Sequence, residues 1–359
     1  MSPSKIRIGL IGLGDMGRGH LECLKSFPSV EIVALCDTHP ERLTNAQKSV
    51  ASSPKTYEKY QEFLNHPGLE AVFVSVPNFL HTEIGLEVLK AGKHLFLEKP
   101  LAHTLSDGKK LADASQKTNL IFQVGHIYRY SPFYLEMMEW IQKDAVGTPL
   151  LLWCHEFRQP FPQREWFYDK TKSGDTFVEK NCHHFDLFNW VTQDKPKQVV
   201  SFGGQSVLKP GTQISCSYCP DSPQTLKTNT TIDHGWVLVE YQKSAKANLG
   251  LSMFLRPPNE IWRGLELGVI GSNGKMLIGN VDFGTMTLYG GTKKEEKKEI
   301  KNPTPQWHSG MHEEHEAFLN SIQTGQKPYA SPQMAYEALI LSCAAQDSLQ
   351  SKKIILLPP

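Results

Sequence analysis

The sequence has 359 residues, 40% hydrophobic and 21% charged, with 38 Lys plus Arg against 37 Asp plus Glu. At roughly 150 residues per domain this length predicts two or three domains with cores of their own, and so even a charge balance excludes a global electrostatic pull towards nucleic acid or a membrane surface. The odd count of seven cysteines fits scattered thiols in a reducing compartment better than a disulfide framework, so a cytoplasmic location is expected.

From Lys5 to about Gly125, short apolar runs alternate with helical stretches. The runs are Ile6 to Ile11, Glu31 to Cys36, Ala71 to Val76, His94 to Leu97 and Leu120 to Val124. Several are apolar at consecutive positions, as strands covered on both faces are. Ile6 to Leu13 is short and has no small-residue cleavage site after it, so it reads as a first strand and not as a signal peptide. Thr82 to Lys90 reads as a helix that stops at Ala91-Gly92. This grammar predicts βαβ units and a doubly wound parallel sheet over residues 1–125.

After Gly147 the grammar changes. Strands are expected at Pro149 to Glu156, Gln198 to Val207, Trp236 to Tyr241, Ala247 to Phe254, Leu265 to Ile270 and Met276 to Gly279, joined by turns such as Gly271-Ser272-Asn273-Gly274. Residues 126–359 are therefore read as an α+β domain with a large, mainly antiparallel sheet. One helix, about Thr176 to Trp190, interrupts the strands, and a pair follows Gly310. Lys209 to Thr230 reads as a long loop and Lys293 to Lys301 as a solvated, charged hairpin.

Gly12-Leu13-Gly14-Asp15-Met16-Gly17 fits G-x-G-x-x-G between a strand and a helix, where glycines permit a tight turn and a close approach of backbone to a pyrophosphate. Asp37 ends the second strand about 20 residues on, the spacing at which a carboxylate meets the adenosine ribose hydroxyls. A carboxylate there favours NAD over NADP. His39 and Arg42 lie close enough downstream to soften the repulsion, which leaves NADP use open. Glu98-Lys99-Pro100 and Val76-Pro77-Asn78, with His81 beyond, end two strands at the sheet edge where open α/β folds bind ligands.

These segments, with Ala91-Gly92-Lys93-His94 and Arg129 followed by Pro132, together resemble the glucose-fructose oxidoreductase, inositol dehydrogenase and MocA family over nearly the whole chain. The resemblance implies a Rossmann domain that binds NAD and an open-faced sheet domain that carries substrate contacts and the interface of a homodimer or homotetramer. It implies that Gly12, Leu13, Gly14, Asp15, Met16, Gly17, Asp37, Arg42, Val76, Pro77, Asn78, His81, Glu98 and Lys99 serve the cofactor. It also implies a sheet-domain motif in which an acidic residue precedes a histidine by four. Glu179 and His183 match it, with Glu in the place usually held by Asp and Lys180 as a departure. On one helix, positions i and i+4 share a face, so both would point into one cleft. The rival account makes Glu179 part of a capping box with Thr176.

His183, with an ordinary imidazole pKa near 6.5, suits the proton acceptor of an alcohol oxidation, Lys99 suits the stabiliser of negative charge on oxygen, and Glu179 would orient them. His126, Tyr128, Arg129, Trp166 and His184 are further candidates for the cleft. The expected activity is transfer of a hydride between NAD and a hydroxyl-bearing carbon of a sugar, inositol or sugar-derived polyol. A redox glycosidase that retains NAD, and a non-catalytic sugar or nucleotide sensor, are the alternatives. No metal is expected: Cys216 and Cys219 lack a second pair, and His312-Glu313-Glu314-His315 has i, i+3 spacing and reads as the polar start of a helix.

Overall fold

In the computed structural model the first apolar run forms strand β1 (Ile6–Ile11), and the chain continues through α1 (Asp15–Leu24), β2 (Val30–Cys36), α2 (Pro40–Lys48), β3 (Lys55–Tyr57), α3 (Tyr60–Leu64), β4 (Ala71–Val74), α4 (His81–Lys90), β5 (His94–Leu97), α5 (Leu105–Gln116) and β6 (Phe122–Val124). Residues 5–215, 224–255, 265–281, 284–290, 296–300 and 310–358 are described. All six strands are parallel, in the order β3-β2-β1-β4-β5-β6. The order reverses between β1 and β4, so the crevice at their carboxyl ends is where this fold takes a ligand. β4 reads Ala-Val-Phe-Val and is buried at every position, as a strand covered on both faces requires.

Strand ends stay in step beyond the regular ladder. Gly12 N–H donates to Cys36 O at 2.8 Å, Ser75 N–H to Ile11 O at 2.8 Å, Glu98 N–H to Val74 O at 3.0 Å and Gly125 N–H to Leu97 O at 2.8 Å. The residues that follow four strands are thus held along one edge.

The second unit begins with α6 (Pro132–Gln142) and β7 (Pro149–Phe157), then α7 (Lys170–Ser173), α8 (Thr176–Glu179) and α9 (Cys182–Thr192). The remaining strands are β8 (Pro196–Gly204), β9 (Gln213–Ile214), β10 (Gln224–Thr225), β11 (His234–Tyr241), β12 (Lys246–Ser252), β13 (Leu265–Gly271), β14 (Met276–Asn280), β15 (Thr285–Tyr289), β16 (Glu296–Glu299) and β17 (Ile355–Leu356). Eight of them join β7 in one nine-stranded sheet, ordered β16-β15-β14-β13-β7-β12-β11-β8-β17, while β9 and β10 pair separately. Every neighbouring pair in it is antiparallel except β7 with β12.

Alternation gives this sheet two unlike faces. Leu152, Cys154 and Glu156 of β7 point inward with Val237, Val239, Leu249 and Leu251, all buried. On the opposite face Phe202, Trp236, Gly250 and His155 lie in one cross-strand row, and Phe202 is 68% and Trp236 48% exposed. The charged hairpin expectation meets β16, exposed at all its positions; Lys293, Lys301 and the Cys216 to Cys219 motif lie outside the described residues.

The division of the chain differs from a single cut near residue 125. The first unit comprises residues 1–129 and 310–336, the second 130–309 and 337–359. Helix α10 (Met311–Thr324) belongs to the first, and helix α11 (Pro332–Ser351) begins there. The cause is apolar: Phe318 is fully buried, with its ring edge-on to Phe73 at 5.3 Å and to Phe96 at 5.7 Å. No periodicity in residues 1–125 shows that one face of their sheet lacks its cover until this helix arrives.

Candidate active site

The glycine turn divides its three glycines between two duties. Gly12 has φ +87°, and a Cβ there would lie 2.3 Å from Ser75 O; a Cβ on Gly17 would lie 1.9 Å from Gly12 O. Both are glycine because the turn and the helix pack backbone on backbone. Gly14 is different. It caps α1 with an extended backbone, and among the described residues an added Cβ would meet nothing within 4 Å. The space above it is left open at a helix N-terminus, where amides and the helix dipole favour a phosphate.

Asp37 is buried beside that turn, at 7% exposure. Its Oδ2 accepts the Leu13 N–H at 2.7 Å and its Oδ1 the His39 N–H at 2.9 Å. Arg42 lies 3.7 Å from Oδ2, and the His39 ring 3.1 Å from Oδ1. A carboxylate has about four lone-pair sites, so two amides leave capacity for hydroxyl donors. These residues fit a dinucleotide: an open helix end, with Asp15 and Met16 in its first turn, and a rigid acceptor.

Other expected cofactor residues are turned inward. His81 is fully buried, its ring nitrogens 2.7 Å from Pro100 O and 3.0 Å from Val76 O. It braces two strand ends to each other, and burial pulls its pKa below the ordinary value. Glu98 also turns away from the edge: its Oε2 accepts the Lys99 N–H at 3.0 Å, and His20 Nε2 lies 2.8 Å from its Oε1. Val76 and Pro77 are half-buried and Asn78 is buried. Arg129 is 2% exposed with its guanidinium 5.1 Å over the Tyr329 ring, and His126 is equally buried at 2%; Tyr128, between them, is half-buried.

In the second unit the expected continuous helix is broken. α8 ends at Glu179, α9 starts at Cys182, and the Asn181 N–H reaches back five residues to Thr176 O at 3.4 Å. Glu179 and His183 therefore sit on separate helical segments, and the shared-face argument does not apply to them. Nor does the capping box form: Asp175, at φ +72°, is the N-cap and accepts the Thr176 N–H at 2.7 Å. The Thr176 hydroxyl donates to Ile232 O. Glu179 and His183 are 5% and 6% exposed. Glu179 lines a small crevice with Phe161, Phe167, Tyr168, Thr231 and Met253, and Trp166 packs against Phe167 with ring centroids 4.1 Å apart.

Beneath these helices lies a group that sequence reasoning missed. Glu156, inward on β7, has Lys180 Nζ 3.0 Å and Arg158 3.4 Å from Oε1, and His184 Nε2 3.1 Å from Oε2. Burial pushes its carboxyl up, but Lys180, then His184 and Arg158, outweigh it and hold it well below the usual carboxylate range. His184 is drawn below its ordinary value by burial, against the opposing pull of Glu156. The signal was there to find: a carboxylate in the inward phase of an alternating strand demands a cation.

Residues 6–126 match the GFO/IDH/MocA oxidoreductase family, NAD-binding Rossmann fold, and residues 134–277 match the GFO/IDH/MocA C-terminal domain. The chain belongs to this family. A family relative, the myo-inositol 2-dehydrogenase of Thermotoga maritima, is 25% identical over 350 residues, 98% of each chain. The inositol 2-dehydrogenase/D-chiro-inositol 3-dehydrogenase of Lactiplantibacillus plantarum is 32% identical over 190 residues, 52% of this chain, so the chain spans about half (53%) of that relative's length. A solved structure of scyllo-inositol dehydrogenase from Lactobacillus casei, with bound NAD(H) and scyllo-inositol, superposes with TM-score 0.79 at 20% identity over 98% of this chain and 99% of that one. At that identity the likeness establishes the fold. The family thus carries the doubly wound sheet and the large mixed sheet expected from the two grammars of the sequence.

Proposed function

We propose that this family member is an NAD-dependent dehydrogenase acting on a hydroxyl-bearing carbon of an inositol, a sugar or a sugar-derived polyol. The observation that carries the reading is Gly14, where the chain's own packing asks for no glycine yet a side chain is absent, next to an Asp37 already rigid for a ribose. Bound NAD supplies the hydride acceptor.

The protein's own part is to hold the alcohol and move its proton. Lys99 is assigned to the substrate oxygen, where a fixed cation stabilises the negative charge that develops as the proton leaves. His183 is assigned as proton acceptor, and Glu179 as the carboxylate that orients it. Trp166 and Tyr128 are assigned to sugar contacts, for which aromatic faces are suited. The substrate class rests on the names of the inositol dehydrogenase relatives.

We also assign contact between copies to the open sheet face, since Phe202, Trp236, Leu238 and Leu151 are each about half exposed or more on it, an apolar row of the kind that marks an interface. A homodimer or homotetramer is expected in light scattering, and Trp236→Glu should dissociate it.

The test is NADH formation followed optically against a panel of inositols, aldoses and glycosides. Steady NADH production with an inositol or polyol is expected. Glycoside cleavage without net NADH would replace this reading by a redox glycosidase, and absence of NAD binding would end it.

A further inference from the structure

Four titratable side chains that the proposed reaction does not use are buried together in the first unit. His20 of α1 is fully buried and His315 of α10 likewise, with Glu98 at 7% and Glu314 at 1% exposure. Glu98, His20 and His315 form a chain of contacts. His20 Nε2 lies 2.8 Å from Glu98 Oε1, and His20 Nδ1 lies 2.7 Å from His315 Nε2. The other Glu98 oxygen accepts the Lys99 N–H. The His20 ring is packed edge-on to Phe96 at 5.2 Å and tilted against Phe73 at 5.7 Å.

The chemistry of the acceptor gives this chain a direction. Burial alone would push the Glu98 carboxyl up, but the His20 hydrogen bond and the nearby Lys99 charge outweigh it and hold it below the ordinary range. An ionised carboxylate only accepts, so His20 must donate from Nε2. Burial drives His315 well below its usual value and so keeps it neutral. Its single N–H at Nε2 then serves the remaining His20 nitrogen. The Glu314 carboxyl, buried near Glu98, is pushed well above its ordinary value by burial and by Glu98. The result is one buried carboxylate, oriented through two rings, with its free face on the residue that carries Lys99.

We propose that His20 and His315 are positioning residues for Lys99, acting through the Glu98 carboxylate and tying the strand end that bears the lysine to the helix that opens at the glycine turn. The inference rests on the reading of Lys99 as the group that holds the substrate oxygen. If these groups merely satisfied one another in the core, replacing His20 by an aromatic of similar shape would lower stability and leave Lys99 labelling and kcat unchanged. In a positioning chain both would change, because Glu98 would lose the donor that orients it and Lys99 the fixed negative charge beside it.

The experiment compares His20→Phe, His20→Gln and His315→Gln with the unmodified protein. It has two readouts: the rate at which acetic anhydride labels Lys99 relative to Lys93, measured by mass spectrometry, and the kcat and KM for an identified substrate. His20→Phe should speed Lys99 labelling about threefold or more and lower kcat about tenfold, with KM and NADH affinity within about threefold. His20→Gln, whose amide can donate in place of Nε2–H, should restore most of both. His315→Gln cuts only the outer link and should fall between; it decides the matter if His20→Phe does not fold. Unmodified labelling and kcat in a folded His20→Phe or His315→Gln variant would overturn the proposal, as would failure of His20→Gln to restore. Labelling needs no substrate, so a protein that oxidises no polyol would refute the functional reading while the Lys99 measurement still decides this one.

Discussion

The Asp37 carboxylate accepts the backbone N–H of Leu13 at 2.7 Å, so the acid that ends the second strand is fastened to the middle of the glycine turn. One side chain thereby holds the glycine turn and is itself held, as the proposed ribose acceptor requires. Asp37→Ala should weaken NAD binding by about ten- to a hundredfold, the scale of charge-assisted hydrogen bonds, and weaken NADP binding less. Calorimetry checks this; tighter binding of NADP than NAD by the unmodified protein would reverse the cofactor assignment.

The three glycines should separate in mutation. Gly14→Val adds bulk where the chain has room, so the protein should fold with an unchanged melting temperature and lose NAD affinity. Gly17→Val forces atoms onto the Gly12 carbonyl and should compromise folding itself. Circular dichroism with NADH fluorescence distinguishes the two, and a folded Gly14→Val that binds NADH normally would remove the phosphate role.

Lys99→Ala and His183→Ala should each lower kcat by on the order of 10² or more, with NAD affinity nearly unchanged. Their combined loss should fall short of the product of the single losses, because the proposed roles put both groups on one proton and one oxygen. Full activity of His183→Ala across pH would move the proton to another base.

Glu156 gives a pH dependence with a definite sign. Burial raises its carboxyl pKa, but Lys180 foremost, with His184 and Arg158, lowers it further, so the folded value lies below the ordinary 4.5. The folded state then binds fewer protons than the unfolded chain, and the stabilisation is present above pH 4.5 and lost as pH falls from there through the folded value. Glu156→Gln should be less stable at pH 7 and show a shallower loss in acid. Urea unfolding at pH 7, 5 and 4 measures this, and parallel losses in both proteins would remove the assigned role.

Phe318 tests the return of the chain to the first unit. It is fully buried against Phe73 and Phe96, so Phe318→Ala should cost about 3–5 kcal/mol. Denaturant unfolding followed by NADH binding should shift with it; an unchanged midpoint would mean that α10 is not part of that core.

Much of the architecture was legible because its signals are local. Consecutive apolar positions marked the strands of the first sheet, runs separated by turn residues marked β7 and β11, and G-x-G-x-x-G with Asp37 marked the glycine turn, each within one or two elements. The arrangement of Glu179 and His183 was not legible, since spacing alone does not reveal that Asp175 caps a single helical turn and that a new helix starts at Cys182.

What the sequence determined by itself was most strands of both sheets and the glycine turn with the acid beside it, because hydrophobic period and backbone sterics act over a few residues. Only tertiary structure decided that Phe318 completes a core begun at Ile6, that Glu156 takes Lys180 as its counter-ion, and that His20 meets His315 across 295 residues. Those pairings come from burial: a desolvated charge or an uncovered apolar face must find a partner, and which distant residue supplies it depends on how the elements pack.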